Sequence, residues 1–306
     1  ERSNKMAKIG IIFPGQGAQY PGMGEKLYEA YHEIRELYEN AEKIFPGITE
    51  ISFHGTADDL KKTENTQPAL YLAELSAALI LKKNGIEASA LAGFSLGEIP
   101  ALSFGGAFDY IEGFRIVCKR GEFMSADPGV ETAMAAVLKL DGETVEKICA
   151  AHAGLYPVNY NCPGQITVSG TKEALNDAKA EFTEAGGRVI PLAVSGAFHS
   201  PFMDKASEEF GAFLNTCDIK SPVTTVYANR NAAPYENVVE TMQAQINHPV
   251  LWEKTVRAMA ESGVDTFIEV GPGQTLSKFV QKTVPGAKTY HAETPEEIEK
   301  IVSEVL

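Results

Sequence analysis

Gly93-Phe94-Ser95-Leu96-Gly97 lies between a short apolar run, "SALAGF", and a stretch with helical spacing. It fits the G-x-S-x-G pattern, in which a strand turns sharply into a helix and holds a serine at the bend. Such a turn restricts the possible folds: it needs a strand before it, a helix after it, and other backbone close enough to require glycine on both sides. Two readings of the five residues stand. Ser95 is a nucleophile on an elbow, or it is an ordinary helix cap, a place serine often takes. In either case Ser95 is expected to cap a helix whose N-terminus favours negative charge.

The remaining chain is predicted to supply that setting. "AKIGIIF" (7–13) reads as a buried strand running into the glycine-rich loop "PGQGAQYPGMG". Residues 23–45 place Leu27, Tyr31, Ile34, Tyr38, Ala41 and Phe45 at three- and four-residue steps, which predicts one amphipathic helix. "TQPALYLAELSAALILKKNG" (66–85) predicts a buried helix starting at Thr66, with Pro68 early and a stop at Gly85. The helix from Leu96 should be bent by Pro100, and 109–124 is another helix. The texture then changes. Strand 134–140, helix 142–153, strands 156–161 and 166–170, helix 171–186 and strand 188–194 give the βαββαβ order of a ferredoxin-like unit. Beyond it the pattern predicts a strand at 223–228, helices around 236–247 and 252–262, a strand at 266–270, a helix at 274–283, a strand near 287–291 and a final acidic helix. Alternating elements predict an α/β chain with a largely parallel sheet covered on both faces.

No apolar run approaches the ~20 residues of a membrane helix, and a composition 44% hydrophobic and 22% charged is that of a globular chain. The formal net charge of −14 argues against nucleic acid or an anionic membrane as partner. Cys118, Cys149, Cys162 and Cys217 form no C-x-x-C pair, and the histidines show no H-x-x-x-H spacing. Neither a disulfide frame nor a metal site is expected, and a cytoplasmic location is the default. Residues 1–5, "ERSNK", precede Met6 and read as an expression scar. The glycine loop has Tyr20 where a dinucleotide fingerprint needs its third glycine, and "GEKL" lacks the G-K-S/T of a phosphate loop. Its backbone N–H groups are expected to serve something other than a cofactor.

Seven segments run in order from residue 13 to 276: "FPGQGAQYPGMG", "GFSLGE", "KRGEFM", "NYNCPGQITVSG", "GAFHSPFM", "NHPVLW" and "EVGPGQTL". Together they closely resemble the malonyl-CoA:acyl-carrier-protein transacylase family of fatty-acid synthesis and related polyketide acyltransferase domains. The resemblance implies an α/β-hydrolase-like catalytic subdomain over 6–131 and 198–306, with an inserted ferredoxin-like small subdomain over 132–197. It implies a ping-pong cycle: malonyl-CoA acylates a serine, CoA leaves, and the phosphopantetheine thiol of acyl carrier protein attacks the ester. The CoA thioester is then a substrate, and no bound cofactor is needed. Carrier proteins of this type are acidic, so docking on this acidic chain calls for a local group of Lys and Arg.

The same resemblance makes Ser95 the nucleophile and His199 the base that activates it. It assigns the oxyanion hole to the backbone N–H groups of Gln16 and Leu96, and the carbonyl that orients His199 to Gln245. Arg120 matches the residue that binds the malonyl carboxylate, for which a guanidinium fork is suited. Phe198 matches a position that narrows the acyl pocket. Asn161 and Gln165 match a segment near the entering thioester, with no role assigned. Phe94 departs from the His or Leu more common there, and Ile99-Pro100 from Tyr-Ser, so Phe94 bears on acyl selectivity. A serine esterase or thioesterase is the rival reading. Such enzymes run Ser, then Asp or Glu, then His, whereas about a third of this chain follows His199 and no acid stands out by local motif. A non-catalytic docking module would be expected to have lost Ser95 or His199.

Overall fold

The computed structural model describes residues 7–194 and 196–306, so the expected scar at 1–5 lies outside the described residues. Among these, the strands are β1 (Ile9–Phe13), β2 (Ala90–Gly93), β3 (Thr132–Leu138), β4 (Leu155–Cys162), β5 (Gln165–Thr171), β6 (Arg188–Pro191), β7 (Val226–Tyr227), β8 (Thr266–Val270) and β9 (Lys288–Ala292). One sheet has the order β7-β2-β1-β8-β9, and every pairing in it is parallel. β1, β2 and β8 are buried at every residue, which is why they read as unbroken apolar runs. Ile11 and Phe13 face a core shared with helices Thr63–Lys83 and Tyr110–Met124, while Ile12 faces one shared with Trp252–Glu261 and Thr275–Thr283. This is an α/β-hydrolase-like layer arrangement.

The second sheet has the order β4-β5-β3-β6 and is wholly antiparallel. With helices Gly142–Ala151 and Lys172–Glu184 it packs its own core around Val137, Val145, Val168, Leu175 and Phe182. Chain order βαββαβ with the first and third strands central is the ferredoxin-like topology. The sheets are tied at β4. Tyr160 N–H donates to Val250 O at 2.9 Å, and Val250 N–H donates to Val158 O at 2.8 Å. These bonds bring β4 over the carboxyl ends of β1 and β2, where open α/β sheets bind ligands.

Several elements differ from expectation. The helix predicted over 23–45 is two helices, Glu25–Ala30 and His32–Glu42, broken at an extended Tyr31. The apolar face is continuous, but Arg35 donates to the carbonyls of Tyr28 and Glu29 and so satisfies the end of the first helix. The long buried helix starts at Thr63, not Thr66; the Thr66 hydroxyl bonds back to the Lys62 carbonyl at 3.0 Å, and Pro68 sits inside the helix. The strand predicted over 223–228 is reduced to Val226–Tyr227, because Val223 and Thr224 donate to the Gly105 carbonyl instead. Helices Ile48–His54, Ala57–Lys61 and Asp204–Leu214 were not anticipated.

One buried group carries a pH-dependent cost. Glu74 is fully buried, and among the described residues neither carboxyl oxygen has a hydrogen-bond partner. Burial, with Glu269 nearby, pushes its pKa well above the carboxylate range. A raised folded pKa means that stability is fully present below the unfolded value and is lost as pH rises through the folded one. Glu74→Gln cannot ionise. It is expected to match the wild type near pH 4 and to become progressively the more stable of the two as pH rises. Urea unfolding at pH 4, 7 and 8.5 measures this, and parallel pH slopes would contradict it.

Candidate active site

The elbow forms where β2 ends. Ser95 has φ 55°, in the left-handed region, a conformation that costs a non-glycine residue about 1–3 kcal/mol. Ser95–Gly97 is a 3-10 turn leading into helix Glu98–Phe104. A Cβ on Gly93 would overlap the Gly97 backbone, and one on Gly97 would overlap the Phe13 carbonyl at the end of β1. Both glycines are therefore demanded by close backbone approach. Ser95 does not cap the helix, contrary to expectation: no side-chain cap bond forms, and its hydroxyl is engaged elsewhere. Pro100 is the third residue of Glu98–Phe104, in the first turn, where backbone amides have few intrahelical partners in any case.

His199 Nε2 lies 2.8 Å from Ser95 Oγ, and His199 Nδ1 lies 2.8 Å from the Gln245 carbonyl oxygen. A carbonyl only accepts, so Nδ1 carries the proton and Nε2 offers its lone pair to the serine hydroxyl. Burial, with the Arg120 charge nearby, lowers the His199 pKa to about 4. The imidazole is neutral at pH 7 and able to accept a proton. Its orienting partner is an amide carbonyl, not the carboxylate of an esterase triad.

Arg120 projects from helix Tyr110–Met124, whose N-terminus is capped by Asp109. It is 1% exposed. Nη2 donates to Gln245 Oε1 at 2.8 Å and to Ser95 Oγ at 3.2 Å, and Nη1 donates to Gln67 Oε1 at 2.8 Å. Burial lowers its pKa to about 10, which still leaves it charged at pH 7. Among the described residues its hydrogen-bond acceptors are neutral. A cation out of water with only amide and hydroxyl partners favours the arrival of an anion. The acid whose charge acts on it is Glu98, fully buried, which accepts from Tyr235 Oη at 2.5 Å and from the Asn229 backbone N–H. Burial outweighs these donors and pushes the Glu98 pKa up to about 7.

Ser95 and His199 open onto a cavity of about 410 Å³ that Gln16, Gly17, Phe94, Asn159 and Phe198 also line. The glycine loop thus faces Ser95. Gln19 Oε1 accepts the Gly17 N–H at 2.7 Å. Leu96 is the second residue of the 3-10 turn, so its N–H belongs to the unpaired first turn. The Ser95 N–H is already taken by Asn229 Oδ1 at 2.8 Å. Phe94 stacks obliquely on Trp252, ring centroids 5.4 Å apart, and also lines a neighbouring cavity with Asn161 and Gln165. Phe198 lines both the serine cavity and a third, which Lys61, Lys62 and Lys172 line together with Glu64, Asp127 and Glu131. The expected basic group at the mouth is thus offset by acids there; Lys61 alone of the lysines lines the serine cavity.

Four residues of this centre carried no role in the sequence reading: Gln67, Glu98, Asn229 and Tyr235. Gln67 lay in a helix predicted to be buried, where its polar side chain was the only signal; Glu98 closes the matching segment "GFSLGE", with no role attached to it. Asn229 reaches the elbow across 134 residues, with no local pattern to mark it.

A neutral histidine aimed at an elbow serine, beside a buried arginine and on an α/β-hydrolase-like sheet, defines a serine-based acyl-transfer centre. The chain belongs to the acyl transferase domain family, which matches residues 11–297. It is 38% identical over 304 residues to the malonyl CoA-acyl carrier protein transacylase of Bacillus subtilis (strain 168), covering 96% of each chain. Its fold is similar to the crystal structure of malonyl CoA-acyl carrier protein transacylase from Clostridium perfringens, with a TM-score of 0.93, 36% identity and coverage of 98% of this chain and 97% of that one. It is also similar, at a TM-score of 0.93 and 28% identity over 97% of this chain and 100% of that one, to a malonyl-transacylase solved in complex with its type II polyketide acyl-carrier protein.

Proposed function

We propose that this chain moves a malonyl group from malonyl-CoA, through an ester on Ser95, to the phosphopantetheine thiol of acyl carrier protein. The observation that carries this reading is the buried Arg120 guanidinium 3.2 Å from Ser95 Oγ, with no carboxylate bonded to it among the described residues. The malonyl carboxylate binds that guanidinium and sets the thioester carbonyl against Ser95. Ser95 Oγ attacks as its proton passes to His199 Nε2. The tetrahedral oxyanion takes the N–H groups of Gln16 and Leu96. Collapse expels the CoA thiolate, which takes the proton from His199. In the second half the carrier's thiol gives its proton to His199 and attacks the ester, and the proton returns to Ser95 Oγ. A base that shuttles one proton needs to be neutral at rest, as a His199 pKa near 4 ensures. No step calls on a bound cofactor, and the four free thiols fit a reducing cytoplasm, where we place the reaction.

The test is transfer from malonyl-CoA to carrier bearing the phosphopantetheine arm, with carrier lacking the arm as control. Transfer faster than hydrolysis, and only to the armed carrier, is expected; hydrolysis as fast as transfer would favour the thioesterase reading. Phe198, 8% exposed on the cavity wall, sets the acyl size. Phe198→Ser is expected to raise methylmalonyl relative to malonyl transfer by about 10-fold, since a methyl group is worth about 1–3 kcal/mol in such a pocket. The ratio of kcat/KM values measures it; no change would move the role to Phe94.

A further inference from the structure

Asn229 is fully buried and stands at the end of β7, the strand next to β2. Its side chain grips both sides of the elbow: Oδ1 accepts the Ser95 N–H at 2.8 Å, and Nδ2 donates to the Gly93 carbonyl at 2.6 Å. Gln245 Nε2 closes the ring, donating to the Ser95 carbonyl at 2.8 Å and to Asn229 Oδ1 at 3.3 Å. Asn229 is itself held at both backbone groups. Its N–H donates to Glu98, which also accepts the Tyr235 hydroxyl, and its carbonyl accepts the Leu251 N–H at 2.9 Å.

We propose that Asn229, fixed by Glu98 and Tyr235, is a positioning residue for the nucleophile. It clamps the residues before and after Phe94, so the left-handed Ser95 cannot relax toward the extended conformation that a non-glycine residue prefers. Clamping keeps Oγ on His199 Nε2. It also removes the Ser95 N–H from the set of free amides, so the oxyanion site is left to Leu96 and the glycine loop. An amide is required because one end must accept and the other donate. At neutral pH a carboxylate only accepts and an apolar side chain does neither, while a hydroxyl has a single oxygen for both roles where the amide has two atoms. The inference rests on the acyl-transfer reading given above.

The test exploits that requirement. Asn229→Asp keeps the size and the acceptor for the Ser95 N–H, but it can donate to the Gly93 carbonyl only while protonated. The ionisable and charged groups around the site are Glu98 and Tyr235 on one side, and Arg120 and His199 beyond Gln245 and Ser95 on the other. Burial holds the introduced carboxyl protonated at low pH, and Glu98, which ionises as pH rises through about 7, adds to the cost of its ionisation. The rate of seryl-ester formation from malonyl-CoA is read by quenched-flow mass spectrometry on both proteins. The ratio of variant to wild type is expected to fall about 10-fold or more from pH 5.5 to pH 8.5, with the KM for malonyl-CoA within about twofold. Asn229→Ala, which lacks both bonds, is expected to be slow at every pH, by about 10²-fold in the chemical step. Tyr235→Phe loses only the hydroxyl that holds Glu98, and it gives a variant with less risk to folding; a several-fold loss in kcat with unchanged KM is expected. A ratio flat with pH for Asn229→Asp, wild-type rates for Asn229→Ala, or a Tyr235→Phe loss carried by KM overturns the proposal. A wild type that forms no seryl ester overturns the acyl-transfer reading itself, so the two failures are distinct.

Discussion

His199→Ala is expected to slow both half-reactions, acylation by malonyl-CoA and deacylation by the carrier thiol, by on the order of 10⁴-fold or more. The serine hydroxyl is a weak nucleophile until a base takes its proton. The structure presents one group for this, Nε2 at 2.8 Å, with the ring tautomer set by the Gln245 carbonyl. The same nitrogen must deliver the proton to the departing thiolate and take one from the entering thiol, so both halves depend on it. The acid limb of the pH profile follows from the same group. A depressed pKa of about 4 keeps His199 neutral through most of the acid range, so kcat/KM should hold to about pH 5 and fall as pH drops through about 4. Single-turnover rates for each half, measured separately, test this. A variant slowed in only one half would show that a second residue shares the proton work.

The second large effect is expected at Arg120. Malonyl carries a free carboxylate and acetyl does not. With malonyl bound, the buried guanidinium gains an anion; with acetyl bound, its partners among the described residues are Gln67, Gln245 and Ser95. Charged hydrogen bonds contribute roughly 1.5–3 kcal/mol each, and a fork makes two. A net preference of about 3–5 kcal/mol follows, or roughly 10²–10⁴ in relative kcat/KM. Arg120→Ala should remove most of it by slowing malonyl transfer while acetyl transfer stays level or rises. Arg120→Lys should fall between, keeping charge but not the fork. The bond from Arg120 to Gln245 adds a check, because Gln245 also orients His199 through its carbonyl. If Arg120→Ala slows both substrates by one factor, the arginine serves that scaffold and not the malonyl carboxylate. The measurement is kcat/KM for malonyl-CoA and acetyl-CoA with each variant.

Fully buried strands such as β1 and β8 were legible because both faces are apolar, and the ferredoxin-like unit because its helices and strands alternate cleanly between turn signals. The glycines around Ser95 were legible because close backbone approach leaves no other residue type. What was not legible is tertiary. Tyr31 breaks a helix whose apolar face is unbroken, since Arg35 offers the first helix an alternative end. Ser95 looked like a cap because the rule for caps sees only neighbours, while its hydroxyl was claimed by a histidine 104 residues away. Seven short segments were enough to bring Ser95, His199, Arg120 and Gln16 together, with Gln245 two residues before one of them. They said nothing of Asn229 or Tyr235, whose importance lies in which backbone atoms they reach.

Intact-mass measurement in the first turnover bears most directly on the acyl-transfer reading. Wild-type protein mixed with malonyl-CoA is expected to gain one malonyl group, mapped by peptide digestion to Ser95, and to lose it to phosphopantetheine-bearing carrier far faster than to water. Ser95→Ala should gain none. Acyl label on Ser95→Ala at the wild-type rate, or a wild-type ester that water discharges as fast as the carrier does, would contradict it.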